Sequence, residues 1–227
     1  MEKLLHAQAD ISLTHVRVCA VAIVGGLKNR HLGFFYRNPD DKDRLYLLHL
    51  NTANLCDVDI TRYSKTRLYL WGLPYTNQAR HGDIIAKIVL LKKNNKHRRV
   101  PYGFSVPDNF FDKTTGEMIL APGNVGLTCA TLVLAIFHMI GLNLIDYSSW
   151  SSRESDLVAQ NSLRDHLETQ GEKQAFVDAV EAQINGFRYR PEEVMAAALT
   201  SKDINTKNQL EPLGEEVVRK ILRVNKN

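Results

Sequence analysis

The segment Gly123–Asp146, GNVGLTCATLVLAIFHMIGLNLID, sets the tightest constraint on the fold. From Leu127 to Ile145 apolar residues follow one another almost without a break, so a helix built from them has no face suited to water. Such a helix is either enclosed in a protein core or placed in a membrane. Thr128, Thr131, His138, Gly141 and Asn143 interrupt the run, and it is the only segment of its kind in the chain. The expected place is therefore the centre of a globular core, enclosed on all sides. Gly123, Asn124 and Gly126 read as a turn, Thr128 as an N-cap, and Cys129 falls in the first helical turn. A thiol there faces unpaired backbone N–H groups and the positive end of the helix dipole, both of which favour the nucleophilic thiolate. An inert core cysteine can occupy the same position, so the rest of the chain has to decide between the two.

The 227 residues suffice for one large domain, or for a core with a small helical extension, and 44% hydrophobic with 24% charged residues is ordinary globular composition. A net charge of +4 is too small to argue for nucleic-acid binding. Three cysteines (Cys19, Cys56 and Cys129) without CxxC or Cys/His ligand spacing suggest a reducing compartment, with neither a disulfide framework nor a structural zinc site. The N-terminal MEKLLHAQADISL lacks the layout of a secretory signal, so the expected location is cytoplasmic, a style that also suits a translocated bacterial effector.

The first half alternates like β structure. Strands are expected at His15–Val24, at His31–Arg37 paired with Arg44–Leu50 across a polar turn, and at Thr66–Trp71. Asp83–Leu91 fits either a strand or a short helix, Lys92–Arg99 reads as a basic turn, and Val100–Ser105 as an antiparallel return. The second half is helical: Arg153 to about Gln170, Glu172 to about Asn185, a helix opening at Pro191, a loop at Lys202–Pro212, and a final amphipathic helix at Leu213–Val224. The class is α+β: an antiparallel sheet packed on a buried nucleophile helix within residues 1–150, and a helical C-terminal extension over residues 151–227 that packs on that core.

A nucleophilic cysteine needs a base and a group to orient the base. Of eight histidines, His97 lies in a basic turn and His166 on a charged helix, both solvated positions, and His6 and His81 sit in irregular segments. His138, nine residues after Cys129, falls on the opposite side of its helix and reads as a packed core residue. His15, His31 and His49 remain, each on an expected strand. Taken singly, any of them is a half-buried strand residue with a hydrogen bond.

A histidine opening a strand as H-x-G (His31 in HLGFF), a second closing the next strand (His49 in LLHL) and a later cysteine heading an apolar helix together resemble the circularly permuted papain-like fold. This is the branch of the NlpC-type cysteine peptidase superfamily that contains the lecithin:retinol acyltransferase-like enzymes. The likeness spans roughly Val16 to Leu144. It implies Cys129 as nucleophile, His31 as base and His49 as the group orienting the imidazole, with no cofactor or metal. The substrate it implies is a peptide, a protein or an acyl group, attacked through a thioester. The acyltransferase subfamily sets its cysteine in Asn-Cys-Glu-His, whereas this chain has Leu127-Thr128-Cys129-Ala130, which argues against close membership. A different assignment makes His49 the base, oriented by Asn51 or Asp57.

Three further features weigh less. Lys92–Arg99, with Tyr102 and Phe104 beyond it, is a short basic cluster of the kind usually solvated at a turn. A metal site from His15, His31 and His49 lacks carboxylates to complete it. Arg153 and Asp156, one helical turn apart, are expected to form a weak surface ion pair, and with Trp150 to lie where the C-terminal helices cap the site. The functional alternative to an enzyme is a non-catalytic protein-interaction domain that retains the papain-like frame and binds through its helical C-terminus.

Overall fold

The computed structural model describes residues 5–6, 18–24, 30–41, 44–51, 54–59, 67–72, 78–104, 107–119, 126–172, 174–184, 186–200 and 204–224. Among them the β-branched and aromatic runs of the first half become strands. These are β1 (Leu5–His6), β2 (Val18–Val24), β3 (Arg30–Arg37), β4 (Leu45–Asn51), β5 (Asn54–Asp59) and β6 (Arg67–Gly72). They form one antiparallel sheet in the order β1-β6-β2-β3-β4-β5. Strands β2 to β5 follow one another as a meander, and β6 returns to pair with the far side of β2. The β3–β4 turn is the expected one, with the Asn38 side chain accepting from the Asp40 N–H at 3.1 Å. Strand β5 was not expected. Its Asp57 and Asp59 are poor strand formers, and the strand takes the sheet edge. His15 lies outside the described residues.

The ambiguous segment Asp83–Leu91 is helical, part of α1 (Gln78–Asn94). Its buried residues Ile84, Ile88 and Leu91 recur at helical spacing and not at the period of two of a strand. The basic run therefore begins on the last turn of α1, where Lys92 and Lys93 face the negative end of the helix dipole. Residues 101–103 form no strand; they bridge to Leu127, whose N–H donates to the Pro101 carbonyl at 2.9 Å and whose carbonyl accepts from Gly103 at 3.2 Å.

The apolar run forms α2 (Cys129–Met139), buried at every position except His138. Thr128 caps it, accepting from the Thr131 N–H, while the Thr131 hydroxyl accepts from the Thr128 N–H at 2.7 Å. At the other end Gly141 takes a left-handed φ of 76°, and the bonds Gly141 N–H to His138 and Leu142 N–H to Phe137 close the helix. α2 lies on β3 and β4: Leu32, Phe34, Tyr36, Leu48 and Leu50 share its buried cluster, and the Phe34 and Phe137 rings are 5.4 Å apart. Among the described residues no helix is long and apolar enough to cross a membrane.

The C-terminal helices are α3 (Glu154–Thr169), α4 (Gln174–Glu181), α5 (Pro191–Leu199) and α6 (Lys207–Val224). The expected loop at Lys202–Pro212 is helical from Lys207. Leu210, Val217 and Ile221 form one buried stripe, and packing that stripe outweighs the hydrogen bond lost at Pro212. Residues of α5 and α6 enter the same buried cluster as the sheet and α2. Residues Leu167 and Val177 with Val180 make a smaller cluster between α3 and α4.

The Arg153–Asp156 pair is not at the surface. Their side chains are 9% and 1% exposed, because α5 packs over the start of α3. Arg153 also pairs with Glu193 of α5, itself 2% exposed, and meets Glu211 of α6 at 3.2 Å. Asp156 receives Arg190 at 2.9 Å and Arg188 at 3.5 Å, and Arg30 of β3 grips Glu192 through two nitrogens at 2.9 and 3.1 Å. Sequence spacing showed the local pair; the tertiary burial that changes its weight is not a local property. Removing one member strands its partners in a dry setting. Arg153→Met is thus expected to lower stability by about 3–5 kcal/mol in chemical denaturation. Lys220→Met at the exposed Glu216–Lys220 pair should change it by less than about 0.5 kcal/mol.

Candidate active site at the head of the buried helix

Cys129 sits in the first turn of α2 as expected, with 3% of its surface exposed. Burial pushes its thiol pKa up. Four groups act in the opposite sense: the Leu32 N–H, the Tyr102 hydroxyl, the positive charge of Arg188 and the Ala130 N–H. The sulfur is therefore packed like a core atom and surrounded by donors that favour a thiolate. Leu32 belongs to β3 and shares a buried cluster with Cys129, so the helix N-terminus packs on the strand that carries His31.

The structure brings the His31 and His49 rings to 6.4 Å between centroids in an edge-on arrangement. Gly33 makes this possible. It pairs with His49 across β3 and β4, and a Cβ at Gly33 would collide with the Leu48 carbonyl oxygen and lie 3.0 Å from the His49 Cβ. The H-x-G spacing thus keeps the lane beside His31 open for the second imidazole. Desolvation lowers the His31 pKa, so the ring is neutral at pH 7. Its Nδ1 is buried and, among the described residues, lacks a hydrogen-bond partner.

The expected hydrogen bond between His31 and the thiol is not made. Strand alternation is the reason: Leu32, Phe34 and Tyr36 face α2, which directs His31, Gly33 and Phe35 to the other face. His49, opposite Gly33, lies on the same face as His31, while Leu48 and Leu50 face α2. The helix and the two histidines thus meet along β3 from opposite sides, joined at the peptide between His31 and Leu32. Asn51 and Asp57, the other candidate orienting groups, lie on β4 and β5.

Two residues beside the sulfur were not singled out for it. Tyr102 was read only as part of a basic and aromatic patch, and Arg188 received no role. Both reach Cys129 through tertiary contacts: Tyr102 through the bridge to Leu127, and Arg188 through the loop before α5, where its carbonyl accepts from the Trp150 indole at 3.3 Å. Trp150, 3% exposed, lies against Tyr189 at 5.1 Å between ring centroids and forms part of the floor beneath Arg188. His97 and His166 are exposed, and His138 bonds Asn143 at 2.8 Å. No group of three or more His, Cys, Asp or Glu among the described residues is arranged to hold a metal ion.

Two outcomes follow from this geometry. Gly33→Ala is expected to cost about 1–3 kcal/mol, read as a lowered melting temperature, because the added methyl has no free space. The folded-state pKa of His31 lies below the unfolded value near 6.5, so its contribution is present in full above pH 6.5 and is lost as pH falls from there through the folded-state pKa. Urea titrations at pH 7.5 and 5.5 should show a smaller acid-induced loss in His31→Gln than in the wild type.

Comparisons with family models, with curated proteins and with solved structures give no match to this chain.

Proposed function

We propose that this protein is a cysteine hydrolase or acyltransferase of the permuted papain-like kind, acting through a thioester on Cys129. The observation that supports this reading is the packing of the head of α2 on β3: Cys129 shares one buried cluster with Leu32, the residue that follows His31 in the chain. Pairing of β3 with β4 begins only at Gly33, so His31 stands beyond the end of that pair, one residue from Leu32 on the helix-facing side. A neutral, desolvated imidazole with an unpaired nitrogen is suited to accept a proton.

In this reading His31 takes the Cys129 proton, and the sulfur adds to a substrate carbonyl. The tetrahedral intermediate collapses as the imidazolium protonates the departing amine or alcohol. Water then gives a carboxylic acid, or a second amine or alcohol takes the acyl group. His49 holds the His31 ring in position. The substrate class is a peptide, a protein or an acyl compound, and a reducing cytoplasmic setting keeps the thiol free.

A second reading has its own observation. A thiol 3% exposed and pushed up by burial, with the imidazoles on the far face, is what a non-catalytic interaction domain on this frame would show. An electrophilic acyl probe separates the two. The enzyme reading predicts loading of Cys129 in preference to Cys19 and Cys56, abolished by Cys129→Ser and slowed about 10²- to 10⁴-fold by His31→Ala. Equal loading of the three cysteines, or no effect of His31→Ala in a folded variant, favours the interaction domain. The acid limb of the loading rate should lie below pH 6.5, following the lowered His31 pKa.

A further inference from the structure

We propose that the outer face of α1 is a docking groove for an amphipathic helix of a partner protein. Apolar anchors would lie along the groove, and acidic residues of the partner would meet the basic run that follows it. Helix α1 is apolar on two sides. Ile84, Ile88 and Leu91 are fully buried and face the core. Gly82, Ile85, Ala86, Val89, Leu90 and Lys93 form a second stripe, at positions i, i+3, i+4, i+7, i+8 and i+11. This stripe and the β3–β4 turn at Pro39 and Asp40 line one groove of about 460 Å³. Ile85, Val89 and Leu90 are half-buried, while Gly82 and Ala86 are exposed, so the groove opens to solvent. A Cβ placed on Gly82 would meet nothing within 4 Å, which leaves that end clear. At 1.5 Å per residue the stripe runs ~16 Å, or about three helical turns.

A solvent-facing apolar stripe at this spacing is the pattern by which a groove receives a helix, whose own i, i+3, i+4 and i+7 side chains fill it. Charge selects the partner. Residues 78–99 hold seven Lys or Arg against one Asp, net +6, while the whole chain carries +4, so the rest of the molecule is net acidic. Inside the groove Asp40 offsets Lys93. The excess lies just past its end, where Lys96 and Arg98 are exposed, while Arg99 is taken by Glu172. A partner with acidic residues at that end gains an attraction that is largest at low ionic strength. Shape and charge both argue against a bilayer as the occupant. The stripe is one wall of a concave groove shared with Pro39 and the Asp40 carboxylate, whereas a helix that lies on a membrane presents its apolar face outermost.

The test is fluorescence anisotropy of the full chain with two labelled designed peptides. One is an Ala-Gln helix carrying Leu at i, i+3, i+4 and i+7 and Glu at one end; its twin has Lys in place of Glu. The Glu peptide should bind about tenfold more tightly than its twin, with the gap closing as salt is raised. Val89→Ser takes an anchor contact from the groove and leaves every charge in place, and it should weaken the Glu peptide about tenfold. Lys96→Gln combined with Arg98→Gln should bring the two peptides to similar affinity. All three side chains are at least partly exposed, and an unchanged melting temperature checks that the variants fold. Equal affinity of the wild-type chain for the two peptides, or binding of the Glu peptide undiminished in Val89→Ser, overturns the docking groove. Binding to phosphatidylserine vesicles that Val89→Ser abolishes, with no binding of the Glu peptide, overturns it in favour of a membrane surface.

Discussion

The head of α2 is held from three directions, and the chemistry assigned to Cys129 depends on that hold. Thr128 and Thr131 close a reciprocal cap within the helix, Leu127 is bridged to residues 101–103, and Cys129 packs in one buried cluster with Leu32 of the sheet. Together they bury the thiol while surrounding it with donors. Burial and donation act on the thiol pKa in opposite directions, and burial is the larger. The proposed thioester chemistry therefore calls for a base to take the thiol proton.

Behind this head, a buried ionic network joins the C-terminal helices to the same strand. Arg30, next to His31, is gripped by Glu192, while Asp156 and Glu193 gather Arg153, Arg188 and Arg190. Arg188 belongs to the network and also acts on Cys129 and Tyr102. The charge near the thiol is thus set by how α3, α5 and α6 pack. Burial of the Glu193 carboxyl raises its pKa even with Arg153 beside it, the expected balance for ions in a dry setting. The extension after residue 150 is then part of the electrostatic environment of the candidate site.

Much of this was legible in the sequence where the signal is local. The apolar run, its Thr128 cap and the β3–β4 hairpin are all written in short-range pattern, and each appears as read. The H-x-G spacing of His31 and Gly33 marked the place where two imidazoles meet. What local pattern could not give is which face of the sheet α2 would cover. Alternation says that His31 and Leu32 point apart; only packing decides that Leu32 points at the helix. Tyr102, Arg188 and the burial of Arg153 were hidden for the same reason, since each acts through contacts distant in sequence. The first turns of α6, with Pro212, and edge strand β5 ran against local propensity and were decided by burial and by edge position.

The central claim is that His31 and Cys129 work as one unit although their side chains start on opposite sides of β3. A crystal structure of the chain after reaction with an acyl electrophile tests it most directly. The account predicts a thioester or thioether on the Cys129 sulfur and a His31 ring nitrogen within about 4 Å of it. An unmodified Cys129 in fully treated protein, or a modified one with both imidazoles still on the far face of the sheet, would contradict it.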